Sequence, residues 1–492
     1  MPDRTSGLLP PEVAGLLDRE WRLLVAGKLT PAARGRTYAR VSPYTESVIA
    51  HVPDGDAGDV DAAARAAADA RAPWRETPAA ERARMVLALA DAIEAHGEEL
   101  ALLDTADAGS PITNSRFDVA TALAQLRLFA GLALELKGTT VPASTGLHVT
   151  VREPAGVVAR IVPYNHPLMF ACKIAAPLVA GNPTILKPPD AAPLSALRLA
   201  ELAAGIFPPG VLSVVVGDGP AVPDALVRHR HVRRIGFIGS EPTGRAIQRA
   251  AAETGVKDVS LELGGKNAMV VFGDADLRAA AEGAVSGMNF TWSGQSCGSN
   301  SRLLVQREIH DELVEQVVRI IEGRRIGDPF DERTEQGTMI NRAQYDKSLA
   351  YIDLAVSEGA TVVTGGGRPA GLDHGLFVAP TVFTGVHPSS RIAQEEVFGP
   401  LLSVIPFDDE AEAVRIANGV PYGLTASVWT ADVSRAHRVA HAFEAGFVWI
   451  NGSSRHFPNV PFGGVKGSGV GREESLEELL GYTELKAINV LF

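Results

Sequence analysis

Residues 156–190 decide the fold, and they read GVVARIVPYNHPLMFACKIAAPLVAGNPTILKPPD. An apolar run at 157–162 ends in a turn, a helical run follows at 168–179, and a second apolar run occupies 184–187. Apolar runs that end in turns and alternate with helices are typical of parallel strands that helices cover on both faces. The stretch therefore predicts two neighbouring strands of a parallel sheet with a helix between them.

The same pattern continues on the C-terminal side of this stretch. Further strands are predicted at 212–216 and 234–238, with helices at 194–206, 221–227 and 243–253. A second series after Gly264 has predicted strands at 268–272, 361–364, 402–407 and 446–450 and helices at 277–288 and 309–322. Segments 329–341 and 365–375 look like surface excursions, and 482–492 reads as a strand. Successive units of this kind predict α/β architecture with a doubly wound parallel sheet.

The N-terminal side is helical rather than mixed. Residues 60–99 are rich in Ala, the strongest helix former, with interruptions around Pro73 and Pro78, and a further helix is predicted from Asn114 or Ser115 to Leu136. We interpret this region as scaffold.

The ends of the predicted strands carry small and polar residues. In open α/β sheets a ligand lies beyond the carboxyl ends of the strands, so these turns are candidates for a phosphate-bearing cofactor, although each alone could be structural. The segment GSEPTGRA lacks the Lys and Ser/Thr of a P-loop, which disfavours ATP hydrolysis. The turns are Pro163-Tyr164-Asn165, Lys187-Pro188, Gly217-Asp218-Gly219 and Gly239-Ser240.

Length and charge narrow the class of protein. The chain has 492 residues and a formal net charge of −12, so about three domains are expected and neither nucleic acid nor an anionic membrane is an expected partner. No stretch approaches about 18 apolar residues, and the N-terminus lacks the apolar core of a signal peptide. Two cysteines are too few for a disulfide framework and fit a reducing compartment. We expect a cytoplasmic location.

The two cysteines have different sequence surroundings. Cys172 lies in the apolar segment PLMFACKIAAPL, which is typical of a packing residue. Cys297 lies in FTWSGQSCGSNSR, where glycines and small polar residues leave room for a substrate. This context makes Cys297 a candidate nucleophile, with a structural thiol as the alternative.

Two further side chains could assist a nucleophile. Glu262, in SLELGGKN, stands between two leucines, where desolvation would raise its pKa into the range of a general base. A partner for Lys266 or a surface carboxylate is the alternative. Asn165 could donate its amide to an oxyanion or could form a turn before a helix. His229 and His231 lie among arginines, which predicts a solvated face, and no metal site is expected.

Eight strings in order resemble the NAD(P)-dependent aldehyde dehydrogenase superfamily from about Arg22 to the end of the chain. The strings are PYNHPL, ILKPPD, GFIGSEPTGR, LELGGKN, GQSCGSNSR, EEVFGPL, YGLTASVWT and PFGGVKGSGVGRE. The resemblance implies that Cys297 attacks an aldehyde, that Asn165 and the Cys297 backbone N–H hold the oxyanion, and that Glu262 activates water to hydrolyse the thioester. It also places Glu473 on a proton path and leaves the role of Lys173 open.

The resemblance also implies a cofactor cleft and a substrate pocket. Asp190 replaces the usual Glu three residues after Lys187, and an acidic group there favours NAD over NADP, which stays possible. The implied cofactor residues are Ile161, Pro163, Tyr164, Lys187, Asp190, Gly219, Gly239, Ser240, Leu263, Glu396 and Phe398. The implied pocket residues are His166, Phe170, Ser296, Gly298, Phe457 and Phe462, and an aldehyde of moderate size is expected.

The implied fold has a Rossmann-type NAD-binding domain (1–137 and 153–263), an α/β catalytic domain (264–474) and a small β oligomerisation extension (138–152 and 475–492). An exposed edge strand in the extension favours a homodimer or homotetramer. Two alternatives remain at this point: a CoA-acylating semialdehyde dehydrogenase, which would not need Glu262 as a base, and a non-catalytic binding protein on the same scaffold.

Overall fold

The computed structural model describes residues 8–492, so the first seven residues of the predicted N-terminal segment lie outside the described residues. Strands occupy Leu23–Val25, Lys28–Thr30, Thr37–Val41, Val48–Pro53, Thr140–Ala143, Gly146–Pro154, Val157–Ile161, Thr184–Lys187, Leu212–Val214, Val232–Ile238, Asp258–Glu262, Ala268–Val271, Arg302–Gln306, Thr361–Thr364, Thr381–Thr384, Leu401–Phe407, Tyr422–Gly423, Thr425–Trp429, Phe447–Ile450, Val465–Lys466, Gly469–Val470 and Thr483–Leu491.

Helices flank these strands. The α-helices are Pro11–Leu17, Ala57–Glu76, Ala79–Ala95, Gly97–Ala108, Ile112–Gly131, Pro167–Ala171, Ala175–Val179, Leu194–Ala203, Ala221–Arg228, Glu241–Thr254, Leu277–Gly287, His310–Glu322, Arg342–Ser357, Arg391–Gln394, Glu410–Asn418, Val433–Ala442 and Leu476–Gly481. Short 3-10 turns lie at Ala133–Glu135, Cys172–Ile174, Phe290–Trp292 and Arg307–Ile309. Within the described residues no helix is both long and apolar enough to cross a membrane.

The first sheet is the predicted doubly wound sheet. Its five central strands are parallel and lie in the spatial order Leu212–Val214, Thr184–Lys187, Val157–Ile161, Val232–Ile238, Asp258–Glu262. The chain order reverses between Val157–Ile161 and Val232–Ile238, which is the switch point where open α/β sheets bind their ligands. Buried apolar residues cover both faces of the sheet. The predicted α/β class and Rossmann-type topology are confirmed.

The second sheet has seven strands and contains the second series predicted from the sequence. Parallel pairing joins all its neighbours except Thr361–Thr364, which pairs antiparallel with Thr381–Thr384. Three of its strands, Arg302–Gln306, Thr381–Thr384 and Thr425–Trp429, were not predicted. Their runs are short, and hydroxyl or charged residues interrupt the apolar signal.

A three-stranded antiparallel sheet stands apart from both. Gly146–Pro154 is its central strand, with Thr140–Ala143 on one side and Thr483–Leu491 on the other. The strand predicted near the C-terminus is therefore present. The two large sheets are not built from two separate halves of the sequence. Gly469–Val470, which follows the strands of the second sheet, pairs with Leu261 and Glu262 at the edge of the first sheet.

Three local predictions were wrong. Helix Ala57–Glu76 runs through Pro73, where an interruption was predicted, and it ends only at Glu76. The single helix predicted at 168–179 is two short helices separated by the turn Cys172–Ile174. Pro177 explains the break, because it has no N–H to donate to the Lys173 carbonyl and its ring crowds that oxygen. Segment 329–341 is not wholly a surface excursion, since residues 336–340 are buried and the Gln336 side chain donates to the Val378 carbonyl over 2.8 Å.

Candidate active site

A cavity of about 270 Å³ lies where the carboxyl ends of the first sheet face the second sheet. Strand-end turns from the first sheet and loops from the second form its walls. Its lining residues are Pro163, Tyr164, Asn165, Phe170, Ile238, Gly239, Ser240, Glu262, Leu263, Gly264, Cys297, Gln344, Lys347, Glu396 and Phe398. The structure therefore brings Cys297, Glu262 and Asn165 together in one cavity, although they are up to 132 residues apart in the chain, from 165 to 297.

Cys297 lies in an irregular loop after the turn Phe290–Trp292. Asn267 holds this loop by donating from Nδ2 to the Cys297 carbonyl over 2.7 Å. The thiol is partly exposed, and it packs against a cluster of aromatic side chains that includes Phe462. Burial and the nearby carboxylates raise the pKa of Cys297 to about 12, and the Gly298 N–H opposes this shift only in part. The thiol is therefore protonated near neutral pH in the absence of ligand.

Glu262 is the last residue of strand Asp258–Glu262. Its backbone is fixed, because its carbonyl accepts from the Gly239 N–H over 3.0 Å. Neither carboxyl oxygen has a hydrogen-bond partner among the described residues. Burial raises the pKa of Glu262 well above its ordinary value, and the charge of Glu473 adds to the shift. A carboxylate with a raised pKa is a stronger base toward a reactant.

Asn165 directly precedes the helix Pro167–Ala171 but does not cap it. His166 occupies the N-cap position, and no side chain caps this helix. The Asn165 side chain is only 6% exposed, and its Oδ1 has no partner in the described part of the chain. The Asn165 amide lines the cavity, where its Nδ2 is the group that can donate to an oxyanion.

Behind Glu262 lies a buried network of charged side chains. Arg160 and Lys173 both pair with Glu473, and the Lys173 Nζ lies 3.3 Å from the Glu473 carboxylate. Although burial opposes ionisation, these two cations hold the pKa of Glu473 below its ordinary value. Glu473 therefore stays ionised and contributes to the raised pKa of Glu262. Lys173, whose role the sequence left open, is a member of this network.

Glu396 and Phe398 close one end of the cavity. The Glu396 carboxylate accepts from the Gly265 N–H over 3.0 Å, and burial raises its pKa to about 6. A Cβ at Gly264 would lie 2.1 Å from this carboxylate, so a larger residue there would displace the Glu396 side chain. Phe398 adopts a left-handed backbone, φ 62°, and its ring meets that of Tyr164 edge to face at 6.0 Å. A strained residue of this kind is commonly found at functional sites.

Lys187, Asp190 and Gly219 form a second group at neighbouring strand ends. The Asp190 carboxylate accepts from the Ala191 N–H over 3.0 Å and from the Gly219 N–H over 3.4 Å. Gly219 has φ +77°, a conformation that favours glycine. Burial lowers the pKa of Lys187, and the charges of Asp190 and Asp218 oppose this shift. Ile161 is buried at the end of the same sheet, in the strand that pairs with Lys187.

Gly239 and Ser240 lead into the helix Glu241–Thr254. The Ser240 side chain does not cap this helix but donates to the Thr243 hydroxyl over 3.0 Å, which leaves the first backbone N–H groups available. A Cβ at Gly239 would meet the Phe237 ring at 2.4 Å. The N-terminus of a 14-residue helix beside a cavity is suited to a phosphate group.

The six residues predicted for the substrate pocket do not all face this cavity. Phe170 lines it, and His166 packs against Phe170 with 5.4 Å between the ring centroids. Phe462 packs beside Cys297, whereas Phe457 lines a separate outer cavity. Ser296 lines a small void of about 10 Å³ with Glu396 and Phe398, and Gly298 is buried next to the thiol.

Sequence reasoning missed several residues around the site. Gln344 and Lys347 reach the cavity from helix Arg342–Ser357, which was not predicted. His456 and Glu474 line the outer cavity, and the Nδ1 of His456 lies 2.7 Å from the Glu474 carboxylate. The adjacent acidic pair Glu473-Glu474 was the one available signal, since two neighbouring carboxylates in a buried segment require partners.

Comparisons with known proteins identify the family. The model of the aldehyde dehydrogenase family matches residues 30–488. The chain belongs to this family. It is 44% identical to aldehyde dehydrogenase tropH of Talaromyces stipitatus, over 92% of this chain and 89% of that protein. It is 40% identical to human retinaldehyde dehydrogenase 3, over 99% of this chain and 96% of the relative.

Solved aldehyde dehydrogenases share the fold. The NAD+ complex of the aldehyde dehydrogenase from Bacillus cereus has a TM-score of 0.95 and 38% identity, with 98% of this chain and 99% of that chain covered. The family oxidises aldehydes to acids, so this chain is an oxidoreductase that acts on an aldehyde group. The resemblance read from the eight sequence strings and the predicted reaction class are confirmed.

Proposed function

We propose that this aldehyde dehydrogenase converts an aldehyde and water into a carboxylic acid with NAD, through a covalent intermediate on Cys297. The observation that carries the proposal is the meeting of one partly exposed thiol, one buried amide with an unpartnered Oδ1 and one unpartnered carboxyl group in a single cavity. A retained fold alone would not require unpartnered oxygens on both Asn165 and Glu262, because buried polar groups are costly unless they are bonded.

In the first half of the reaction the Cys297 sulfur bonds to the aldehyde carbon. The thiol gives up its proton to solvent water before the attack, because the thiolate is the nucleophile. The carbonyl oxygen becomes an oxyanion that the Asn165 amide and the Cys297 backbone N–H stabilise. NAD supplies the acceptor for the hydride that leaves the carbon, so that a thioester remains on Cys297.

In the second half Glu262 takes a proton from water, and the resulting hydroxide adds to the thioester carbon. The carbon–sulfur bond breaks, and Glu262 gives its proton to the leaving sulfur, so that the carboxylic acid is released and the thiol is regenerated. The raised pKa of Glu262 makes its carboxylate a stronger base than that of an ordinary glutamate.

The cleft has the chemistry to hold NAD. Glu396 and Asp190 offer carboxylate oxygens to ribose hydroxyls, and the start of helix Glu241–Thr254 offers N–H groups to the pyrophosphate. Lys187 and Gly219 lie near Asp190, while Ile161, Pro163, Tyr164, Gly239 and Leu263 complete the cleft. Asp190 would repel a 2′-phosphate, which supports NAD rather than NADP.

The small β extension supports a homodimer or homotetramer. Strand Thr483–Leu491 is a nine-residue edge strand, and Leu485, Ile488 and Val490 are exposed along it. An unpaired apolar edge is an aggregation hazard unless another strand covers it, and a second copy of the chain offers such a strand.

The division into domains 1–137 with 153–263, 264–474, and 138–152 with 475–492 is part of this proposal. A cytoplasmic location is also part of it, and the two unpaired cysteines favour that location.

The test is the formation of NADH from a panel of aliphatic and aromatic aldehydes, with NAD or NADP and with or without CoA. We expect turnover with NAD and no CoA, and a carboxylic acid as product. Strict dependence on CoA would contradict the hydrolytic mechanism. The absence of turnover with every aldehyde would contradict the enzymatic proposal itself.

A further inference from the structure

The second large cavity near the site is an outer vestibule, defined here by the residues that line it. Its volume is about 270 Å³, and its walls come from helix Ile112–Gly131 and from segment 456–458. The lining residues are Ala120, Thr121, Ala124, Gln125, Leu128, His456, Phe457, Pro458 and Glu474. Apart from a threonine and a glutamine, the polar groups of this wall are one imidazole and one carboxylate.

A cluster of apolar side chains connects the vestibule with the nucleophile. Phe462 packs in the cluster that contacts Cys297, and the centroid of its ring is 4.5 Å from that of His456. Phe447 also stacks on His456, with 5.9 Å between centroids and an interplanar angle of 20°, and its ring lies 5.5 Å from that of Phe462. A substrate whose aldehyde carbon meets Cys297 can therefore reach His456 with its opposite end across an apolar gap.

Glu474 is bound on all sides and cannot itself bind a substrate. Its Oε1 accepts from the Lys173 Nζ over 3.1 Å and from the Gln125 Nε2 over 3.4 Å, and its Oε2 accepts from His456. Although burial opposes ionisation, the charges of Lys173 and His456 hold the pKa of Glu474 well below its usual range. The residue also has a left-handed backbone, φ 65°, and this conformation costs energy for residues other than glycine and asparagine.

The carboxylate orients the imidazole. Because Nδ1 of His456 donates to Glu474, Nε2 is the nitrogen left for other partners, and the side chain is 42% exposed. An anion binds at Nε2 when that nitrogen also carries a proton, so that the ring donates to Glu474 through Nδ1 and to the anion through Nε2. Glu474 therefore fixes the orientation of the His456 ring and leaves Nε2 to bind a ligand.

We propose that His456, oriented by Glu474, binds a carboxylate at the non-reacting end of the substrate, so that the preferred substrates are aldehydes that carry a carboxylate across a short apolar or aromatic spacer. This inference rests on the proposed function, because it assumes that the aldehyde carbon meets Cys297. It names His456 as a specificity-determining residue. The Phe457 ring beside it covers the apolar spacer.

Two rigid aldehydes of similar shape test the proposal: 4-carboxybenzaldehyde and 4-isopropylbenzaldehyde. A charge-assisted hydrogen bond contributes about 1.5–3 kcal/mol, equivalent to about 10-fold to 100-fold in kcat/KM. We expect His456→Phe, which keeps an aromatic ring in the stack, to lose this factor for the carboxylate substrate and to change less than about 2-fold for the isopropyl substrate. His437→Phe, an exposed histidine on helix Val433–Ala442, is the matched control and should change neither.

An equal loss for both substrates would show that the His456–Glu474 pair only supports the fold, and it would overturn the proposal. So would a wild-type enzyme that prefers the isopropyl compound. A binding measurement separates this inference from the proposed function. In Cys297→Ala, calorimetric binding of 4-carboxybenzaldehyde should weaken by the same factor when His456→Phe is added, whether or not the wild-type enzyme turns over. Unchanged affinity in the double variant would overturn the inference alone.

Discussion

Cys172 and Cys297 are the two cysteines of the chain, and they differ in access to the active-site cavity rather than in the direction of their pKa shifts. Burial raises the pKa of both thiols above the ordinary value. Cys172 is 1% exposed in the core cluster between the first sheet and its helices, whereas Cys297 opens on the cavity that Asn165 and Glu262 share. A raised pKa in the unliganded protein therefore does not separate a packing thiol from a nucleophile. The unpartnered side-chain oxygens of Asn165 and Glu262 in the same cavity are what distinguish Cys297 from Cys172.

Removal of each sulfur gives the largest contrast. We expect Cys297→Ala to lower turnover by about 10⁴-fold or more, because no other thiol reaches the cavity, while Cys172→Ala stays within about 2-fold of wild type. The rate of NADH formation measures both variants, and thermal unfolding verifies that each is folded. Full turnover in Cys297→Ala would exclude the assigned nucleophile.

Glu262→Gln should separate the two halves of the reaction. The amide fills the same volume but cannot take a proton from water, so we expect a burst of about one NADH per subunit and then a steady rate lower by about 10²-fold to 10⁴-fold. Mass spectrometry of the quenched enzyme should find an acyl group on Cys297. A normal steady rate without any acyl-enzyme would contradict the role of Glu262.

Asn165→Ala removes the free amide without changing either cysteine. Loss of one oxyanion donor lowers kcat by about 10²-fold to 10³-fold, and we expect a loss in this range. NAD affinity, measured by fluorescence titration, should remain near that of wild type. A variant that loses NAD affinity but keeps kcat would instead place Asn165 in the cofactor site.

Alkylation sharpens the comparison by accessibility and pH. Iodoacetamide should label Cys297 in the native protein and Cys172 only after unfolding. Since the pKa of Cys297 is raised to about 12, its thiolate is a small fraction from pH 7 to pH 9, and the labelling rate should rise about 10-fold per pH unit. Peptide mapping with time gives both rates. A rate that is already constant at pH 7 would mean that the thiolate is formed in the unliganded enzyme.

Serine substitutions give the smallest contrast, and here the larger effect is expected at Cys172 rather than at Cys297. At Cys172 a hydroxyl without a partner would be buried, so Cys172→Ser should lower the free energy of unfolding by about 1–3 kcal/mol. At the partly exposed Cys297 the same change should cost less than about 0.5 kcal/mol. Urea titration measures both. Equal losses at the two positions would contradict the difference in burial.

The sequence was most informative where one local pattern was sufficient. The strand Thr184–Lys187 lies at the predicted residues, because a short apolar run between turns has few alternatives in a doubly wound sheet. The helix predicted at 168–179 is broken instead, because Pro177 interrupts a pattern that is otherwise helical. Glu262, Asn165 and Cys297 were all identified as candidates from their immediate neighbours and from the family resemblance.

The sequence by itself determined the α/β class, the family and the candidate catalytic residues, since these follow from local periodicity and from motifs of a few residues. Only the tertiary structure decided which groups meet and which are paired. His456 and Glu474 face each other across 18 positions of sequence, and Gln125 joins them from 349 positions away. Contacts of this kind depend on how two sheets and a helix that is distant in sequence pack together, and no local sequence pattern encodes that packing.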